Sequence, residues 1–130
     1  MIAPEAFESW LRRYGEAWIA GDPQAALKLF TDGAAYYETP FDPPMVGSDS
    51  IRRYWTEGAQ NSQRNVTFAA QPIGFGGDTG YARWQATFVR LPLGSFVELD
   101  GVLAASFAPD GRCCEFREWW HRRETPMAAH

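Results

Sequence analysis

The chain changes its hydrophobic rhythm about halfway along. From Ala3 to about Ala20, the apolar residues Phe7, Trp10, Leu11, Tyr14, Ala17 and Trp18 recur at spacings of three and four, the mark of one buried helix face. Gly21 ends that helix, and Asp22 followed by Pro23 supplies an N-cap with proline at the first helical position for a short second helix through Phe30. Residues 34–39 alternate as a strand. After a proline-rich loop, Ser48 or Asp49 caps a third helix that carries Ile51, Tyr54 and Trp55 and stops near Gly58. Beyond Asn61 the period becomes two, and strands are predicted at about 65–75, 79–91, 95–108 and 112–122. Gly76-Gly77-Asp78, Pro92 with Gly94, and Pro109-Asp110-Gly111 mark the turns between them. Helices first and hairpin-linked strands afterwards predict an α+β fold, three helices packed on one face of a strongly curved, mainly antiparallel sheet. Pro72 points to an edge position or a bulge in the first long strand.

A length of 130 residues suits one domain, with a core over about 5–123 and a tail, 124–130, expected to be disordered. With 15% aromatic residues, six Trp among them, the chain can build a large core or an aromatic-walled hollow. No apolar run approaches the ~20 residues of a membrane span, and the first residues do not read as a secretory signal. The net charge of −4, with scattered basic residues, argues against nucleic-acid binding. Cys113 and Cys114 are adjacent and poorly placed for an ordinary disulfide, so a reducing cytoplasm is the expectation. Two histidines, His121 and His130, are too few for a histidine-rich metal site, and neither metal nor cofactor is expected.

The order helix, helix, strand, loop, helix, four long strands resembles the nuclear transport factor 2-like superfamily. Local text resembles its SnoaL-like branch: Tyr14 and Trp18 before Gly21-Asp22, Leu29-Phe30, Tyr36, Pro40-Phe41, Gly47, Ile51, Tyr54-Trp55, and the closing Phe116 to His121. The resemblance implies a cone-shaped fold enclosing a pocket. It does not fix the chemistry, because the superfamily hosts isomerases, hydrolases, cyclases and inactive proteins.

Alternation sorts the strand residues. Cys114, Phe116, Glu118 and Trp120 share one face of the last strand, against Glu115, Arg117, Trp119 and His121. The first set is the more apolar and should face the helices, which makes Glu118 an acid on an apolar face. By the same logic Ala82, Trp84, Ala86 and Phe88 point inward, as do Val97, Leu99, Leu103, Ala105 and Phe107, while Glu98 and Asp100 point out. Alternation leaves Glu38 undecided, because Ala35 is too small to identify the core side of its strand. Similarity to the steroid delta-isomerases of the superfamily implies that Glu38 takes the place of their proton-shuttling carboxylate and Tyr14 that of their oxyanion-binding tyrosine. Their second donor, a protonated aspartate, corresponds to Leu103, a departure that removes half of that oxyanion hole.

The candidate site is therefore a hollow with Tyr14, Tyr36, Glu38 and Glu118 as polar points on a wall of Trp18, Trp55, Phe68, Trp84, Phe88, Leu103, Phe116 and Trp120. Such a wall suits a flat, largely apolar, oxygenated molecule. Glu38 is the candidate base, Tyr14 a donor to a substrate oxygen, and Glu118 a second acid, in isomerase-, cyclase- or hydrolase-type chemistry. The alternative is a ligand-binding or dimeric interaction module without turnover. Plainer roles stand beside these: Glu38 at a solvated strand end, Tyr14 as core, Glu118 paired with Arg83, Arg112 or Arg117, and Asp42 as a solvated loop acid. Tyr81, Gln85, Thr87, Arg117, Trp119 and His121 form the outer sheet face, through which the superfamily resemblance implies a homodimer.

Overall fold

The computed structural model describes residues 2–127. Helix α1, Pro4–Ala20, buries Phe7, Trp10, Leu11, Tyr14, Ala17 and Trp18, the six residues its periodicity selects. It ends where Gly21 turns left-handed at φ 62°, which aims the Gly21 and Asp22 amides at the carbonyls of Trp18 and Ala17, 3.0 Å away in each case. The Asp22 carboxylate then caps α2, Pro23–Leu27, accepting from the Gln24 and Ala25 amides at 3.1 and 3.2 Å.

Helix α2 stops three residues short of Phe30. The Leu29 carbonyl accepts both the Cys113 amide at 2.8 Å and the Trp10 indole N–H at 3.0 Å, and this draws Phe30 into the sheet. Strand β1, Phe30–Tyr37, therefore starts earlier than predicted, and Glu38 lies just past its end. Strand β2, Met45–Val46, is two residues long, too short for any alternation to announce it. Helix α3, Ser48–Trp55, starts after Gly47 at φ 89°, so neither Ser48 nor Asp49 is its cap, and it runs on into a π-helical turn, Thr56–Gln60.

The remaining strands are β3, Gln63–Gly76; β4, Thr79–Arg90; β5, Ser95–Phe107; and β6, Cys113–Pro126. They and β1 and β2 form one open six-stranded sheet in the order β2-β1-β6-β5-β4-β3. Every pairing is antiparallel except β1 with β6. The helices pack on its concave face, giving the α+β class that the sequence pattern predicts. Pro72 lies in the edge strand β3 and also at a register break between Pro72 and Gly74.

Alternation holds in β4 and β5, where Ala82, Trp84, Ala86, Phe88, Val97, Leu103, Ala105 and Phe107 are buried. It fails once in β6. Phe107 pairs with Cys113 and Ser106 with Glu115, so Cys114 is the extra residue of a bulge. Cys114 is exposed rather than inward, and Cys113 takes the core position. The tail expectation also needs correction, since Glu124, Thr125 and Pro126 pair with Val97, Phe96 and Ser95. Residues 128–130 lie outside the described residues.

Gly101 sets how closely β5 and β6 pack. It sits between Trp84 and Trp120 in the register, and a Cβ there would come within 2.0 Å of the Trp119 carbonyl oxygen and 2.8 Å of Trp120 Cα. Only glycine lets β5 and β6 approach this closely. Among the described residues, no helix is long and apolar enough to cross a membrane.

Candidate active site

A cavity of about 260 Å³ opens between α1, α3 and the concave sheet face, just below the ~300–1,000 Å³ typical of ligand clefts. Trp18, Tyr36, Trp55, Trp84, Phe88 and Trp120 line it, together with Tyr14, Glu38 and Glu118. Three residues assigned to the wall from sequence do not. Phe116 is fully buried behind the tyrosines, its ring centroid 4.7 Å from that of Tyr36 and 5.3 Å from that of Tyr14. Leu103 is fully buried in the sheet, paired with Ala82 and Glu118. Phe68 stacks behind Trp84, with centroids 6.2 Å apart, and faces a separate groove beside α1.

The inner end of the cavity is a hydroxyl–carboxyl chain. Tyr14 comes from the buried face of α1, Tyr36 from the inward face of β1 and Glu118 from the inward face of β6. The Tyr14 hydroxyl donates to Glu118 Oε1 at 3.2 Å and shares a 2.9 Å hydrogen bond with the Tyr36 hydroxyl. With Tyr14 donating to the carboxyl, Tyr36 is the donor to Tyr14. Glu118 is only 6% exposed. None of the arginines considered as its partner serves it: Arg83 pairs with Asp100 at 2.8 Å, Arg112 with Asp110 at 2.8 Å and Arg117 with Glu115 at 3.4 Å.

Burial without a cation penalises the charged form. Loss of water raises the Glu118 pKa from 4.5 to about 8, the Glu38 charge adds to the rise, and the Tyr14 hydrogen bond opposes it. Burial likewise holds the Tyr14, Tyr36 and Tyr54 hydroxyls well above their usual range, so all three stay protonated as donors.

Glu38 lines the same cavity as Tyr14 and Glu118. Its half-buried carboxylate accepts from the Tyr54 hydroxyl, and its backbone carbonyl accepts from the Trp120 indole N–H at 3.1 Å. Tyr54 was legible only as part of the apolar face of α3; its hydroxyl gave no sign of a carboxylate partner. Trp18 donates its indole N–H to Gln63 Oε1 at 2.6 Å, fixing an amide on the cavity wall. The indole N–H groups of Trp55 and Trp84 are buried with no partner among the described residues.

At the outer end stand Arg90 and Arg122, both of which sequence reasoning left without a role. Carrying the alternation one step past Phe88 and past Trp120 would have found them. Among the described residues, no three His, Cys, Asp or Glu side chains gather as a metal site would require.

The SnoaL-like domain family matches residues 11–116, and the chain belongs to it, within the nuclear transport factor 2-like superfamily. No curated protein matches the chain significantly. Solved structures of similar fold include a computationally designed 17-OHP binder, with a TM-score of 0.79, 14% identity, and 92% of this chain and 97% of that one covered. The epoxide hydrolase/cyclase-like enzyme SalBIII, from pyran ring formation in the polyether salinomycin, has a TM-score of 0.74 at 20% identity, over 90% of this chain and 88% of its own. A candidate isomerase from Bacillus subtilis has a TM-score of 0.79 at 19% identity, over 93% and 90%. At these identities the likeness is one of fold.

Proposed function

We propose that the protein binds a small, largely apolar, oxygenated molecule in this cavity and acts on it by cofactor-free acid–base catalysis of isomerase, cyclase or hydrolase type. Glu118 is the general acid, holding its proton at neutral pH and kept in orientation by Tyr14 and Tyr36. Glu38, held by Tyr54, is the base. The observation that carries this reading is the pairing of two carboxyl groups on one cavity wall in unlike surroundings, one dry and without a cation among the described residues, the other half-exposed. Such pairs divide acid and base duty between them. SalBIII and the Bacillus subtilis protein lend the reading support as enzymes, or candidate enzymes, of this fold.

Native mass spectrometry of freshly purified protein would identify a molecule that copurifies in the cavity, and its conversion by wild type, Glu38→Gln and Glu118→Gln would test both roles. Each substitution is expected to slow turnover ~10²-fold or more. Unchanged turnover in both variants would contradict the assignment.

A second reading, ligand binding without turnover, is favoured by Leu103, an apolar residue where the steroid delta-isomerase resemblance implies an oxyanion donor. The 17-OHP binder is a protein of this fold described by what it binds. In either reading we place the protein in the cytoplasm, where Cys113 and Cys114 stay reduced. We also propose a homodimer through the outer sheet face, on which Tyr81 and Trp119 are exposed.

A further inference from the structure

The concave face carries a second charged group that acid–base chemistry does not require. In β4 the inward series Trp84, Ala86, Phe88 continues to Arg90, and in β6 the inward series Glu118, Trp120 continues to Arg122 and Glu124. The register sets them close together: Val97 of β5 pairs with both Phe88 and Glu124, and Leu99 pairs with Arg122. Arg90 Nε donates to Glu124 Oε2 at 2.9 Å, whereas Arg122 Nε lies 3.9 Å from Glu124 Oε1, too far for a hydrogen bond.

Two guanidinium groups thus share one carboxylate, a local charge of plus one on a chain whose net charge is −4. Arg90 is tied to Glu124 through its Nε. Arg122, 51% exposed and lining the cavity, keeps most of its donors for an acceptor arriving from solvent. A planar carboxylate matches that fork of N–H groups. The positive site also offsets the repulsion that an acidic protein exerts on an anion entering its cavity.

We propose that the ligand is a carboxylic acid whose carboxylate docks on Arg122 at the cavity mouth while its oxygenated reacting end reaches Glu118. This rests on the reading of the cavity as a small-molecule site with Glu118 at its inner end. Glu118 and Arg122 are four residues apart on one strand, so their Cα atoms are ~13 Å apart. Both side chains reach into the cavity, which limits the ligand to a short acid. Trp120 lies between them on the same face and supplies the apolar wall for its body.

The test uses ω-benzoylalkanoic acids of increasing chain length and their primary amides, titrated against the fluorescence of the cavity tryptophans. At the best chain length the acid should bind about tenfold tighter than the amide. Arg122→Gln should erase that preference, and Glu124→Gln, which removes the negative charge beside both arginines, should widen it. Equal binding of acid and amide, or a preference that survives Arg122→Gln, overturns the carboxylate assignment and leaves the small-molecule reading standing. If neither acid nor amide of any length perturbs the tryptophans, the small-molecule reading falls with it.

Discussion

Two carboxyl groups on the inward face of β6, one lining the cavity and one paired with an arginine that lines it, stand in opposite conditions. Glu118, at the inner end, is dry, faces no cation among the described residues and keeps its proton up to about pH 8. Glu124 lies beside Arg90, whose guanidinium holds its carboxyl below the usual carboxylate range. Both residues sit on the inward face of β6, six positions apart. The strand, the side chain and the orientation are shared, so environment alone separates an acid from a counter-ion. In the proposed function, chemistry falls to the aromatic end and ionic recognition to the open end.

The largest effect on that contrast should come from removing the packing that keeps the inner end dry. Phe116→Ala is expected to cost about 3–5 kcal/mol in denaturant unfolding, because its ring backs both Tyr14 and Tyr36. In any folded fraction, water reaching Glu118 should lower its pKa.

Next comes the pH dependence of stability. The folded state retains a proton on Glu118 that the unfolded chain releases above its ordinary pKa of 4.5. Stability from this group is fully present below pH 4.5, falls by up to ~1.4 kcal/mol per pH unit as pH rises towards about 8, and then levels off. Glu118→Gln should flatten that decline in urea titrations run across the range.

Tyr14→Phe is a smaller perturbation, at about 1–2 kcal/mol, since it leaves the Tyr36 hydroxyl and one Glu118 oxygen without their partner. The Tyr14 bond opposes the rise in the Glu118 pKa, so its loss should move the Glu118 midpoint up, detectable in the same urea titrations. The smallest effect is expected at the outer end. Arg90→Gln should change thermal stability little, and the difference should vanish at high salt, because the Arg90–Glu124 pair stands in partial contact with water.

The fold was legible because period and turn residues agree along nearly the whole chain: α1 and the inward faces of β4 and β5 lie where spacing put them. Alternation failed at Cys114 because one inserted residue flips the faces of a strand, and a bulge has no period to reveal it. For the site, sequence brought Tyr14, Tyr36, Glu38 and Glu118 to one hollow, but not which hydroxyl meets which carboxyl. Those pairings depend on where α1 and α3 cross the sheet, a tertiary outcome. Tyr54 took Glu38, and Tyr14 took Glu118. Phe116 and Leu103 shared the inward face with cavity residues yet lie behind the wall, because facing the core and facing a hollow in it leave the same alternation.

Glu118, with its pKa pushed up to about 8, is a protonated acid at neutral pH. Carbon-13 NMR of the side-chain carboxyls, titrated from pH 4 to 10 with Glu118→Gln for assignment, measures it directly. A Glu118 midpoint near 8 is the predicted result. A midpoint near 4.5, the value of an ordinary glutamate, would contradict it and leave the inner end of the cavity without its acid.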